Sequence, residues 1–250
     1  MSMAKTSETS HLKNATNFDE LIAYITSYGA TYNPSRASIQ LTALKTLANS
    51  VKPYLTAVHD NLPIYDNAVA ARKVAFAPLS KLVTRVGNAI KATDTTEQVD
   101  NNVATLVREL QGRRATPKKT TEEKAAALAA GQTIVEISST HMDYITRADN
   151  LDKLIKLLTS VSLYAPNEEE LQVKSLTALR DDLNAKNTDV VNAEVIVSKA
   201  RIARNKILYT PLTGLVDIAF DTKTYIKSAF GATSPEYKQI SQLKFTKPKS

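Results

Sequence analysis

The sequence predicts an all-α protein, a tandem duplication of an antiparallel helical unit forming an elongated helical bundle. Three observations predict it. Apolar residues recur three or four apart over long stretches, which lines one face of a helix. Residues that break helices are scarce, with 6 Gly and 9 Pro in 250 residues, and no segment alternates apolar and polar residues between turn pairs, so no sheet is expected. The third observation is that the two halves of the chain match each other.

Residues 1–16 are polar and read as an N-terminal tail without the apolar core of a secretory leader. The first helical unit is expected over 17–110. Asn17 stands three residues before Glu20, the spacing of a capping residue and a carboxylate that reaches back to it. From Pro34 to Leu62, the positions Ile39, Leu44, Leu47, Val51, Tyr54, Leu55, Val58 and Leu62 lie on one helical face. Ile64, Ala68, Ala71, Ala75, Leu79, Leu82, Val86 and Ile90 do the same in the next stretch. The break at Asn61–Pro63 predicts two long antiparallel neighbours. Asp94 with Glu97 opens a shorter closing helix.

Residues 111–133 form a basic linker holding a short helix, which Thr120 with Glu123 opens and which covers Glu122–Ala130. The second unit is expected over 134–243, entered by a long helix from Ile134 to Leu158. Asn167 with Glu170 marks a further helix start. Gly231 closes one helix and Ser234–Pro235 opens the last. Residues 244–250 are read as a basic tail.

The halves correspond residue by residue in several places. Asn17-Phe18-Asp19-Glu20-Leu21-Ile22 falls on Asn150-Leu151-Asp152-Lys153-Leu154-Ile155, and Thr26-Ser27 on Thr159-Ser160. Tyr32-Asn33-Pro34 falls on Tyr164-Ala165-Pro166 with a slip of one. Lys73 to Leu79 falls on Lys206 to Leu212, and Leu82-Val83 on Leu215-Val216. The pattern is that of an internal repeat. Pro78 and Pro211 occupy equivalent places inside apolar-periodic stretches, where proline removes a hydrogen bond, so duplicated helix kinks are expected at both.

Chemistry-bearing motifs point away from catalysis. The chain has no Cys, and its 3 His stand far apart in sequence. No phosphate-cradling glycine motif occurs, and no catalytic, cofactor-binding or metal-ligating residue is assigned. The acidic run Glu168-Glu169-Glu170 reads as a first helical turn that complements the helix dipole.

The formal charge of +7 gathers in clusters, and the candidate anion-binding residues are Arg113, Arg114, Lys118 and Lys119 in the linker with Arg201, Arg204 and Lys206 on one helix. A non-enzymatic structural or protein-interaction role, with a protein partner or self-association, is the first expectation. Nucleic-acid or anionic-surface binding through the basic clusters is the alternative, unsupported by any reading motif. Without an apolar run of membrane length, a cytoplasmic location is expected.

The segments Leu163-Tyr164-Ala165-Pro166-Asn167-Glu168-Glu169-Glu170-Leu171, Ala203-Arg204-Asn205-Lys206 and Phe230-Gly231-Ala232-Thr233-Ser234-Pro235 resemble a group of uncharacterised helical proteins of Bacteroidetes bacteria. The resemblance is closest over Asn150–Lys249. It implies a bacterial source and carries no activity or cofactor.

Overall fold

The computed structural model describes residues 8–113, 120–131 and 142–248. Among these the chain is all-helical, without a strand. In order the helices are α1 (Glu8–Ser27), α2 (Leu41–Phe76), α3 (Leu79–Lys91), α4 (Glu97–Leu110), α5 (Thr121–Ala129), α6 (Tyr144–Ser160), α7 (Val173–Tyr209), α8 (Leu215–Phe230) and α9 (Pro235–Ser241). Short 3-10 turns at Ala37–Ile39 and Glu169–Leu171 lead into α2 and α7.

The capping signals hold where a side chain is free to turn back on the backbone. Thr120 and Glu123 close a full capping box on α5. Ser234 accepts from the Tyr237 amide with Pro235 in the first turn, and Gly231 ends α8 with φ 92°. Asn17 does not cap. It lies inside α1, which already runs from Glu8, so the helix takes in residues expected to be a tail. Thr96 rather than Asp94 caps α4.

Three expected boundaries move. The break at Asn61–Pro63 is absent, and α2 runs 36 residues through both Pro53 and Pro63. Each proline removes a donor, yet no residue there takes the left-handed backbone that closes a helix. Pro78 and Pro211 mark breaks rather than kinks. Pro78 is the N-cap residue of α3, where a missing N–H costs little, and Pro211 sits in the connection 210–214 between α7 and α8. The expected helix from Ile134 to Leu158 does not run through. Asp143 caps α6 by accepting from the Thr146 amide, and residues 132–141 lie outside the described part.

The helices form two compact units that cut across the sequence halves: Met1–Tyr65 with Ala193–Ser250, and Asp66–Asn192. In the first, Phe18, Leu21 and Ile25 of α1 join Leu44 and Val51 of α2 with Leu208, Leu215, Ala219 and Ile226 in one core. In the second, Leu79, Val83, Val86 and Ile90 of α3 pack with Val103 and Leu110 of α4, Leu151, Leu154 and Leu158 of α6, and Leu176 and Leu183 of α7. Burying these stripes supplies most of the helices' stability, since isolated helices of this kind are marginal in water.

Local structure recurs between the units. Tyr32 donates its buried hydroxyl to the Ile39 carbonyl, and Tyr164 donates to the Leu171 carbonyl at 2.8 Å. Gln40 reaches back to the Pro34 carbonyl at 3.4 Å and Gln172 to the Pro166 carbonyl at 3.3 Å. Burial pushes both Tyr32 and Tyr164 up to about 12. The buried spacing of α3 (Leu79, Val83, Val86, Ile90) repeats in α8 as Leu215, Ala219, Thr222 and Ile226. That register matches Leu79 with Leu215. The sequence match of Leu82-Val83 with Leu215-Val216 is therefore displaced, because residues 210–214 separate α7 from α8 whereas only 77–78 separate α2 from α3.

Candidate functional site

Two places bring functional groups together. In the second unit, α3 and α4 enclose a cleft of about 350 Å³. Lys91, Arg108 and Arg113 supply three cations, Thr84, Asn88 and Gln111 supply polar groups, and the apolar floor is Gly87, Ala104 and Val107. No carboxylate is among the described lining residues, and none of the three cations forms an ion pair with a described residue.

The local sequence builds this cleft. Gly112 ends α4 with φ 67°, a backbone that side chains disfavour, and a Cβ there would come 2.4 Å from Met142 Sδ. The Arg113 amide then donates to the Arg108 carbonyl at 2.9 Å and the Gly112 amide to the Glu109 carbonyl at 3.0 Å, a Schellman closure that folds Arg113 back beside Arg108. Gln111 is held by Thr84 Oγ1 at 2.6 Å and the Ser80 carbonyl at 3.3 Å, which ties the end of α4 to α3. At Gly87 an added Cβ would meet Val107 at 3.4 Å, so glycine keeps the floor open.

In the first unit, residues 243–248 have no regular secondary structure and are held by α1 and α8. Asn14, 1% exposed, donates to the Thr246 carbonyl at 2.8 Å while its Oδ1 accepts from the Thr246 amide at 3.0 Å. Asn17 donates to the Lys244 carbonyl at 2.7 Å, and Lys223 to the Leu243 carbonyl at 3.0 Å. Leu243 and Phe245 are buried, with Phe245 edge-on to Phe220 at 6.2 Å between centroids. Lys247 pairs with Asp217, whose carboxyl is held below the usual carboxylate range by that bond and by the Leu212 amide. An amide side chain that both donates to and accepts from one residue reads main chain rather than side chain.

The sequence-expected cations fare differently. Arg113 lines the α3–α4 cleft, while Arg114, Lys118 and Lys119 lie outside the described residues. Arg201 and Arg204 both pair with Glu8 of α1, and Arg204 is 3% exposed, so these two hold the fold. Lys206 is exposed. Lys91 and Arg108, like Asn14, escaped the sequence reading, and Asn17 was read only as a cap, because they meet their surroundings through helix packing. The Gln111-Gly112-Arg113 signature of a helix end was the one linear clue to the cleft.

His11 forms a third polar cluster. Its Nδ1 is 2.7 Å from the Tyr209 hydroxyl, to which Asn14 also donates at 3.2 Å. Burial pushes His11 down and Tyr209 up from their ordinary values, and the Arg204 cation adds to the fall at His11. Among the described residues no group of His, Asp and Glu is placed to hold a metal ion. No helix among them is long and apolar enough to cross a membrane. No protein-family model, curated protein or solved structure matches the chain.

Proposed function

We propose that this is a non-enzymatic, structural protein-interaction protein, built by duplication of one helical unit, that self-associates by exchanging its C-terminal segment between copies. The observation that carries this reading is the bidentate grip of Asn14 on Thr246. The first unit already holds residues 243–247 through main-chain bonds, two apolar side chains and one ion pair. Each of those contacts is open to the same segment of a second copy, so exchange forms a dimer without any new interface. Recurrence of the Tyr–carbonyl and Gln–carbonyl bonds ahead of α2 and α7 supports the duplication.

Light scattering over a concentration series of the full chain tests the proposal. Dimer is expected to accumulate with concentration, and Phe245→Ala with Asn14→Ala to reduce it while helical content is kept. A monomer at every concentration, or a dimer indifferent to both changes, would refute exchange.

A further inference from the structure

The geometry of the α3–α4 cleft points to a binding site for a small organic phosphate. Elsewhere among the described residues each arginine faces a carboxylate or an aromatic ring: Arg36 pairs with Asp221, Arg85 with Glu170, Arg180 with Asp152, and Arg201 and Arg204 with Glu8, while Arg72 lies over the Tyr144 ring and Arg147 over the Phe76 ring. The cleft departs from that habit. Lys91, Arg108 and Arg113 converge on one concavity with no described carboxylate lining it. An anion entering the cleft would be attracted by all three cations, with no described carboxylate of the lining to oppose it.

The donor set selects the chemistry. Guanidinium forks match the oxygens of a phosphoryl group in pairs, and a phosphoryl dianion balances three cations better than a carboxylate does. Lys91 adds a mobile ammonium, and the Asn88 amide adds a neutral donor on the same helix. The remaining wall is apolar or small: Gly87, Ala104 and Val107. That surface accepts the uncharged part of the ligand, and a volume of about 350 Å³ admits a molecule of nucleotide size rather than a bare ion. The ligand thus sits with its phosphoryl group toward Arg108 and Arg113 and its organic part over Gly87.

Calorimetric titration of the full chain with inorganic phosphate, pyrophosphate, adenosine monophosphate and acetate tests this assignment. The three phosphates are expected to bind, adenosine monophosphate more tightly than inorganic phosphate, and acetate not at all. Arg108→Gln is expected to weaken adenosine monophosphate by about tenfold or more, with Lys91→Gln and Arg113→Gln weakening it less. Lys206→Gln removes an exposed cation elsewhere and is expected to change nothing. Gly87→Leu, which fills the floor without touching the charges, is expected to weaken adenosine monophosphate while sparing pyrophosphate. Equal losses from Lys206→Gln and Arg108→Gln would assign the binding to diffuse charge and overturn the site. So would equal binding of acetate, an unaltered response in Gly87→Leu, or no binding of any phosphate at low salt.

Discussion

Folding lowers the pKa of His11, and the reason lies in its surroundings. The ring Nδ1 lies 2.7 Å from the Tyr209 oxygen, which also accepts from the Asn14 amide at 3.2 Å. Burial disfavours the charged ring most, the Arg204 cation adds to that, Glu8 opposes it, and Arg201 adds a smaller push in the same direction as burial. The folded pKa therefore lies below the unfolded value of 6.5. The unfolded chain binds the proton first, so the stability is present in full above pH 6.5 and is lost as pH falls from there through the lower folded value. Urea unfolding at pH 7.5 and at pH 5 is expected to show this loss, and His11→Gln to flatten it. A second residue carries strain. Leu212 holds φ 67° with its side chain 73% exposed, fixed by the bond from its amide to Asp217. A left-handed backbone costs a leucine about 1–2 kcal/mol, and nothing apolar covers the side chain in return. Leu212→Gly is expected to raise stability by about 1 kcal/mol, read from the midpoint of urea unfolding; a lower midpoint would mean that the exposed side chain contributes more than its backbone costs.

At the scale of elements, the two 3-10 turns meet their helices with opposite charge signs. Arg36, just before Ala37–Ile39, pairs with Asp221 on α8, whereas Glu170 in the other turn pairs with Arg85 on α3. Asp221 follows the buried Ala219 by two residues, as Arg85 follows the buried Val83, so the two helix partners hold matching positions. Pairing each turn with the helix of its own half sets Arg36 toward Arg85 and Glu170 toward Asp221. Like charges disfavour that alternative, and the pairs thus select between two otherwise similar packings. Arg36→Glu is expected to cost about 0.5–1 kcal/mol, and Arg36→Glu with Asp221→Arg to recover most of it, since both groups are partly exposed. A double-mutant cycle by thermal unfolding measures the coupling, and a coupling near zero would remove the charges from the account.

How much of this was legible follows from what each residue depends on. Helical faces, the Thr120–Glu123 cap and the Gly231, Ser234, Pro235 boundary depend on neighbours within one turn, and periodicity or spacing reveals them. Asn17 imitates a cap because its side chain is polar and Glu20 follows at the right distance. Its partner is the Lys244 carbonyl, far along the chain. Pro63 imitates a terminator for a similar reason: a lost donor is visible in sequence, but whether the next residues turn away is not. The cleft stayed hidden because Lys91 and Arg108 belong to different helices whose pairing no spacing encodes.

For the whole molecule, the decisive fact is that each compact unit takes residues from both halves of the sequence. Neither half holds a complete core: Phe18 and Leu21 pack with Leu208 and Leu215, while Leu79 and Val83 pack with Leu151 and Leu154. Cutting the backbone within 111–133, the linker read from the sequence, is therefore expected to leave the two fragments bound to each other through native gel filtration. Each fragment prepared alone is expected to show little cooperative unfolding on heating. Fragments that separate and unfold cooperatively by themselves would contradict the crosswise cores.

The grip of Asn14 on Thr246 also sets an order of events during synthesis. The unit formed from residues 66–192 has all its parts once Asn192 has left the ribosome. By contrast Phe18, Leu21 and Ile25 of α1 share a core with Leu208, Leu215, Ile226 and Phe245, so that core stays incomplete until those residues have been made. α1 is thus made before residues 66–192 yet sheltered after them, and a chaperone meeting this protein would find its target there.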